Sequence, residues 1–170
     1  MPVPEARSDR DLAAYVRGAG LVAELVRPGA PTPTVPDAAR ALGVAPDAIL
    51  KSLVFEAEGT ALLVIAAGEA RVRMPLLARA LGLSRRAVRL ATPGRTLAVT
   101  GYPVGAMPPF GHASPLDTLI DSVSVPAAGV VYAGGGAEDV MLRLDARTLL
   151  EATGARRLPL TADGAQKELR

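Results

Sequence analysis

Ile49-Leu-Lys-Ser-Leu-Val-Phe-Glu56, followed by Glu58-Gly59 and then Thr60-Ala-Leu-Leu-Val-Ile-Ala66, is the part of the chain that decides its architecture. Both runs are rich in branched aliphatic residues, which favour a pleated, half-buried backbone. Glu58-Gly59 between them is a turn signal, so the pair reads as an antiparallel hairpin. Period two places Lys51 on one face with Ile49, Leu53 and Phe55, and Leu50, Ser52 and Val54 on the other. A lysine on an apolar strand face is costly unless its ammonium reaches water or a partner. Lys51 is therefore either a snorkelling edge lysine or a cation set at a cleft, placed to hold a phosphate, a carbonyl or a hydroxyl.

Helical signals flank the hairpin. Thr34 with Pro36 opens a helix that Gly43 closes, Met74 to Leu81 ends at Gly82, Thr92-Pro93 starts another, and Asp145 to Gly154 brackets the last. Asp9 or Asp11 caps a first helix running to about Gly18. Short strands are expected at Leu21–Val26, Arg86–Leu90, Asp117–Val123, Gly129–Ala133, Val140–Leu144 and Leu158–Leu160. Gly134-Gly-Gly136 reads as a tight turn. Hairpins outnumber βαβ units, which argues against a doubly wound nucleotide fold. The expectation is an α/β fold of the α+β type: one domain over 9–160 with a curved mixed β-sheet flanked by helices. Residues 1–8 read as a loose arm and 161–170 as a frayed tail.

Gly101-Tyr-Pro-Val-Gly-Ala-Met-Pro-Pro-Phe-Gly-His112 fits neither a helix nor a central strand. It must be a shaped loop, the kind of segment that carries binding and catalysis on a rigid scaffold. It holds the single histidine of the chain.

Composition narrows the chemistry. There is no cysteine, which excludes disulfides, thiolate catalysis and thiolate metal sites. One histidine excludes a His-rich metal site, and no metal or other cofactor is expected. With aromatics at 3% the core must be aliphatic. Arginines cluster from Arg71 to Arg95, either as a solvated surface or as phosphate contacts. No secretory leader is visible, and Ala61–Ala67 is far shorter than the roughly 18 apolar residues of a membrane helix. A soluble cytoplasmic protein with no membrane partner is expected.

Leu50-Lys51-Ser52-Leu53-Val54-Phe55, Gly101-Tyr102, Gly105-Ala-Met-Pro-Pro109-Phe-Gly111 and Tyr132-Ala-Gly-Gly-Gly136, in that order, resemble the YbaK/EbsC and prolyl-tRNA-editing family. The likeness runs from about Thr34 to Gly154. It implies hydrolysis of the ester joining a wrong small amino acid to tRNA, with tRNA-Pro the expected carrier. Lys51 matches the family lysine, and Gly105 to Pro109 matches its GxxxP loop. The resemblance thus implies Lys51 and Gly105 as catalytic groups. It implies Ala106, Met107, Pro108, Pro109, Phe110, Gly111, His112 and Asp121 as substrate-binding residues, with Asp117 the second choice for the acidic position. Pro108 departs from the cysteine-type loop, Pro109-Phe110-Gly111 is closer to the alanine type, and His112 departs from both. Aminoacyl-tRNA is the implied partner, with an aminoacyl-tRNA synthetase as a further candidate.

Alternatives stay open at single residues. His112 is either a general base or a pocket-shaping residue. Asp121 is either a partner of Lys51 or the substrate amine, or a strand-end aspartate. Tyr102 and Phe110 either stack on the terminal adenine or pack the core. Ser114-Pro115 has no nucleophile-elbow pattern, so a Ser-His-Asp triad is not expected. The competing function is a non-catalytic module that binds tRNA or a synthetase.

Overall fold

The computed structural model describes residues 5–161, so half of the expected arm, 1–4, and almost all of the tail lie outside the described residues. Among the described residues there are five α-helices: α1 (Asp9–Gly18), α2 (Val35–Leu42), α3 (Met74–Leu81), α4 (Pro93–Thr100) and α5 (Ala146–Thr153). The strands are β1 (Ala23–Val26), β2 (Leu50–Ala57), β3 (Thr60–Ala67), β4 (Val88–Leu90), β5 (Asp117–Asp121), β6 (Val130–Gly134), β7 (Met141–Asp145) and β8 (Arg156–Leu158).

The β2–β3 hairpin forms as its pattern predicts, with Leu50 opposite Ala67 and Ala57 opposite Thr60. Glu58 and Gly59 both have positive φ, 50° and 81°. That is the backbone of a two-residue turn matched to strand twist. The hairpin is the centre of a five-stranded mixed sheet in the order β4-β2-β3-β5-β8, and a second sheet has the order β1-β7-β6. A single parallel bridge, Ile49 to Tyr132, links the two. The mixed α/β architecture in one domain matches the sequence expectation, and the structure adds the division of its strands into two sheets.

Both sheets share one core. Leu50, Val54, Leu63, Ile65 and Ile120 of the larger sheet meet Val131, Leu142 and Leu144 of the smaller. The other face of the larger sheet carries Phe55, Leu62, Val64 and Leu119, which pack with Leu77 and Ala78 of α3. A third cluster joins Ile49 to Ala38 and Ala39 of α2 and to Met141 of β7. On the face of β2 that Lys51 shares, Ile49 is thus covered by the α2 cluster, and Leu53 and Phe55 by the α3 cluster. Lys51 lies at the seam between them, which explains how a cation is accommodated in an apolar strand.

The caps follow local chemistry. Thr34, Thr92 and Asp145 accept from first-turn amides, and Gly43, Gly82, Gly101 and Gly154 end helices in the left-handed region. One expectation is corrected. Ser8, not Asp9 or Asp11, caps α1, and Asp11 closes a capping box by accepting from the Ser8 amide at 2.7 Å. The Arg7 amide also donates to the Gly101 carbonyl at 2.7 Å.

The arginine cluster is partly structural. Glu56 is buried and receives Arg95 Nε at 2.9 Å and Arg89 at 3.0 Å. The Arg95 hydrogen bond, aided by Arg89, holds its carboxyl below the usual range although burial opposes this. The pair of arginines ties edge strand β4 and the first turn of α4 to β2.

Asp121 ends β5 fully buried. Its carboxylate accepts from the Ser124 amide and hydroxyl, from the Leu160 amide at 2.9 Å, and from the Thr161 amide and hydroxyl at 3.2 and 2.7 Å. Burial pushes its pKa up, but the Ser124, Leu160 and Thr161 donors outweigh burial and hold it below the ordinary value. A depressed carboxyl stabilises the fold above its unfolded pKa, and that contribution disappears as pH falls through the lower folded value. Asp121→Asn should cost about 2–4 kcal/mol by leaving buried donors unmatched. Denaturant titrations at pH 7 and below pH ~4 should show the difference from wild type shrinking in acid.

Candidate functional site

Lys51 opens onto a cavity of about 260 Å³. Its walls come from the turn before α2 and that helix (Thr32 to Val35, Ala38), from β2 (Ile49 to Leu53), from the glycine-proline loop (Val104, Gly105, Met107) and from Gly134 and Met141. Among the described residues the Lys51 ammonium has no hydrogen bond and no ion pair. Burial lowers its pKa first, and the nearby Arg71 guanidinium lowers it further, against the opposing pull of Glu69. The site therefore holds a half-desolvated cation whose hydrogen-bonding capacity is uncommitted.

The loop facing Lys51 is anchored from inside. Tyr102, Met107 and Phe110 are buried in the main core, and Gly105 takes φ of 93°. Residues 105 to 107 lie directly on the backbone of the triple glycine. A Cβ on Gly134 would stand 2.2 Å from the Met107 carbonyl oxygen, and the Gly136 amide donates to the Ala106 carbonyl at 2.8 Å. Gly134-Gly-Gly136 is thus more than a turn: Gly134 belongs to β6, and its missing side chain admits the loop. The Ala106 amide donates to Pro103 at 3.3 Å, whereas among the described residues the Gly105 and Met107 amides have no intramolecular acceptor.

The remaining expected site residues fall elsewhere. Pro109, Phe110, Gly111 and His112 line a separate cleft of about 380 Å³ with Tyr15, Ser114, Leu116 and Thr153. Pro108 is buried, and its carbonyl accepts from His112 Nε2 at 2.8 Å. Burial holds the histidine pKa below its ordinary value, with Arg7 acting the same way and the Pro108 carbonyl opposing. His112 is therefore neutral near pH 7, with its Nε2 proton committed to the loop. Asp121 lies outside the Lys51 cavity, and Asp117 is exposed at the start of β5. Of the two readings of Tyr102 and Phe110 the structure supports core packing: Tyr102 is wholly buried, edge-on to His112, and Phe110 is buried and stacks on Tyr15 with centroids 5.5 Å apart.

Several cavity residues escaped sequence reasoning. Thr32 and Met141 meet across the fold, the Thr32 hydroxyl lying 3.3 Å from the Met141 sulfur. Val104 and Gly134 were passed over because nothing in their local sequence marks a wall.

Comparison with known proteins gives the family and the fold. Residues 29–152 match the model of the aminoacyl-tRNA editing domain, and the chain belongs to that family. It is 31% identical over 119 residues to the uncharacterized protein YwhH of Bacillus subtilis (strain 168), covering 69% of this chain and 73% of that protein. Its fold is similar to that of a proposed trans-editing enzyme for prolyl tRNA synthetase, with TM-score 0.83, 30% identity and coverage of 96% and 100% of the two chains. The hypothetical protein APE2540 is similar at TM-score 0.82 and 31% identity, over 89% of this chain and 99% of that one.

Two outcomes follow from the geometry. Gly134→Ala should destabilise the protein by about 1–3 kcal/mol through overpacking and speed amide hydrogen exchange across residues 105–107. Lys51 should titrate below ordinary lysine. Arg71→Ala should raise its pKa and Glu69→Gln lower it, read from the pH dependence of Lys51 acylation.

Proposed function

We propose that the protein is a trans-editing deacylase that hydrolyses the ester between a wrongly attached small amino acid and tRNA, with tRNA-Pro as the carrier. The observation that carries this reading is the Lys51 ammonium, unpaired among the described residues, at the seam of a cavity closed by the Gly105–Met107 loop. Membership of the editing family and the likeness to a proposed prolyl trans-editing enzyme support the same chemistry.

An aminoacyl ester is already activated, so the protein needs chiefly to position it and to stabilise the charge that develops. Water adds to the carbonyl carbon. The bond from that carbon to the ribose oxygen then breaks, a proton from the water reaches the ribose oxygen, and free amino acid and tRNA leave. In this scheme Lys51 neutralises the developing oxyanion or holds the adjacent phosphate. The Gly105 and Met107 amides are the loop donors available to help it, because the Ala106 amide is already engaged by Pro103. Pro108 and Pro109 have no amide proton and serve to stiffen the loop. A cavity of about 260 Å³, with the buried Ala38 and Met141 in its wall, suits a small amino acid. His112 acts by holding the Pro108 carbonyl, and Asp121 by anchoring residues 160 and 161.

The test is a panel of mischarged tRNAs. Wild type should release one small amino acid faster than the others, and Lys51→Ala should lower kcat by about 10²–10³-fold. Full activity in Lys51→Ala would defeat the assignment. Tight, salt-sensitive tRNA binding without turnover of any ester would make the protein a binding module instead.

A further inference from the structure

The cavity walls divide sharply by exposure. Thr32, Ala38, Ile49, Leu50, Met107 and Met141 are buried and form the floor. Pro33, Thr34, Val104 and Gly105 are exposed and form the mouth. Val104 is 62% exposed. It is the one large exposed hydrophobic residue among those described that borders this cavity. Its neighbours Tyr102, Met107 and Phe110 all turn into the core, so the loop has ample apolar anchorage without it. Pro33 adjoins this part of the loop: a Cβ on Gly105, the residue after Val104, would lie in van der Waals contact, 3.9 Å, with the Pro33 carbonyl oxygen, so the two segments form one continuous rim.

We infer that Val104, exposed on the rim of the cavity, is an apolar lip that packs against the base of the terminal nucleoside of the substrate and positions the ester beneath it. This rests on the deacylase reading. If the ester carbonyl lies at Lys51 and Gly105 with the amino-acid side chain on the floor, the ribose oxygen points outward. The nucleoside must then pass over the rim that the exposed Val104 tops. Every base offers an apolar face there, and burying Val104 against one gains affinity without reading sequence. Val104 is a positioning residue in this account, and it touches no reacting atom.

The experiment compares two minimal substrates carrying the same amino acid on ribose, one with adenine and one without a base. Wild type should show a KM about tenfold lower for the adenine-bearing ester. Val104→Ser should remove that advantage while leaving kcat and the thermal midpoint unchanged, and Val104→Ile should restore it. An unchanged KM for the adenosine ester in Val104→Ser, or an equal loss on both substrates, would overturn the inference. Wild-type inactivity towards every charged tRNA and both minimal esters would instead overturn the deacylase reading, and the lip with it.

Discussion

Backbone against backbone is the constraint on which the site depends. Residues 105–107 rest on residues 134–136 with no side chain between them, held by the hydrogen bond from the Gly136 amide to the Ala106 carbonyl. This contact joins the loop after α4 to the hairpin of the smaller sheet, while Lys51 belongs to the larger sheet. The cavity therefore exists only where both sheets and the loop meet. Any side chain on Gly134 would force the loop away from β6 and alter the wall that carries Gly105 and Met107.

Lys51 obtains its environment from packing, not from a designated partner. On its face of β2, one helix cluster covers Ile49 and another covers Leu53 and Phe55. A lysine in the uncovered interval keeps its stem among apolar groups and its ammonium at the cavity. Burial and Arg71 both weaken the hold on its proton, while Glu69 partly compensates. A fully paired lysine in the same place would be more comfortable and less useful, since a substrate oxygen would have to displace its partner. Glu56, five positions along the same strand, shows the contrasting solution: a buried charge satisfied by two arginines and spent on structure.

What the sequence disclosed was whatever is encoded locally. The hairpin rested on period two and a two-residue turn, and helix ends at Thr34, Gly43, Gly82, Thr92 and Gly154 rested on cap chemistry within a few residues. Lys51 was conspicuous because it broke an apolar face. Contacts between distant segments were hidden. Nothing near Gly134 says that Met107 will press against it, and nothing near Asp121 announces donors at Leu160 and Thr161. The loop's aromatic residues left two roles open, ligand for a base or core, and with aromatics at 3% of the chain the structure spends them in the core.

That use of the aromatic rings bears on how the loop works. Tyr102, Met107 and Phe110 fill the interior, His112 fixes the Pro108 carbonyl, and the Ala113 and Ser114 amides bond back to Thr100 and Val99 at 2.8 and 3.1 Å. A loop secured along so much of its length has little conformational freedom left to lose when a ligand arrives. Its outward-facing part is correspondingly short, Pro103 to Gly105. The surface around the cavity is thus shape already in place, and neither α2 nor the loop can retreat without unpacking the core behind it.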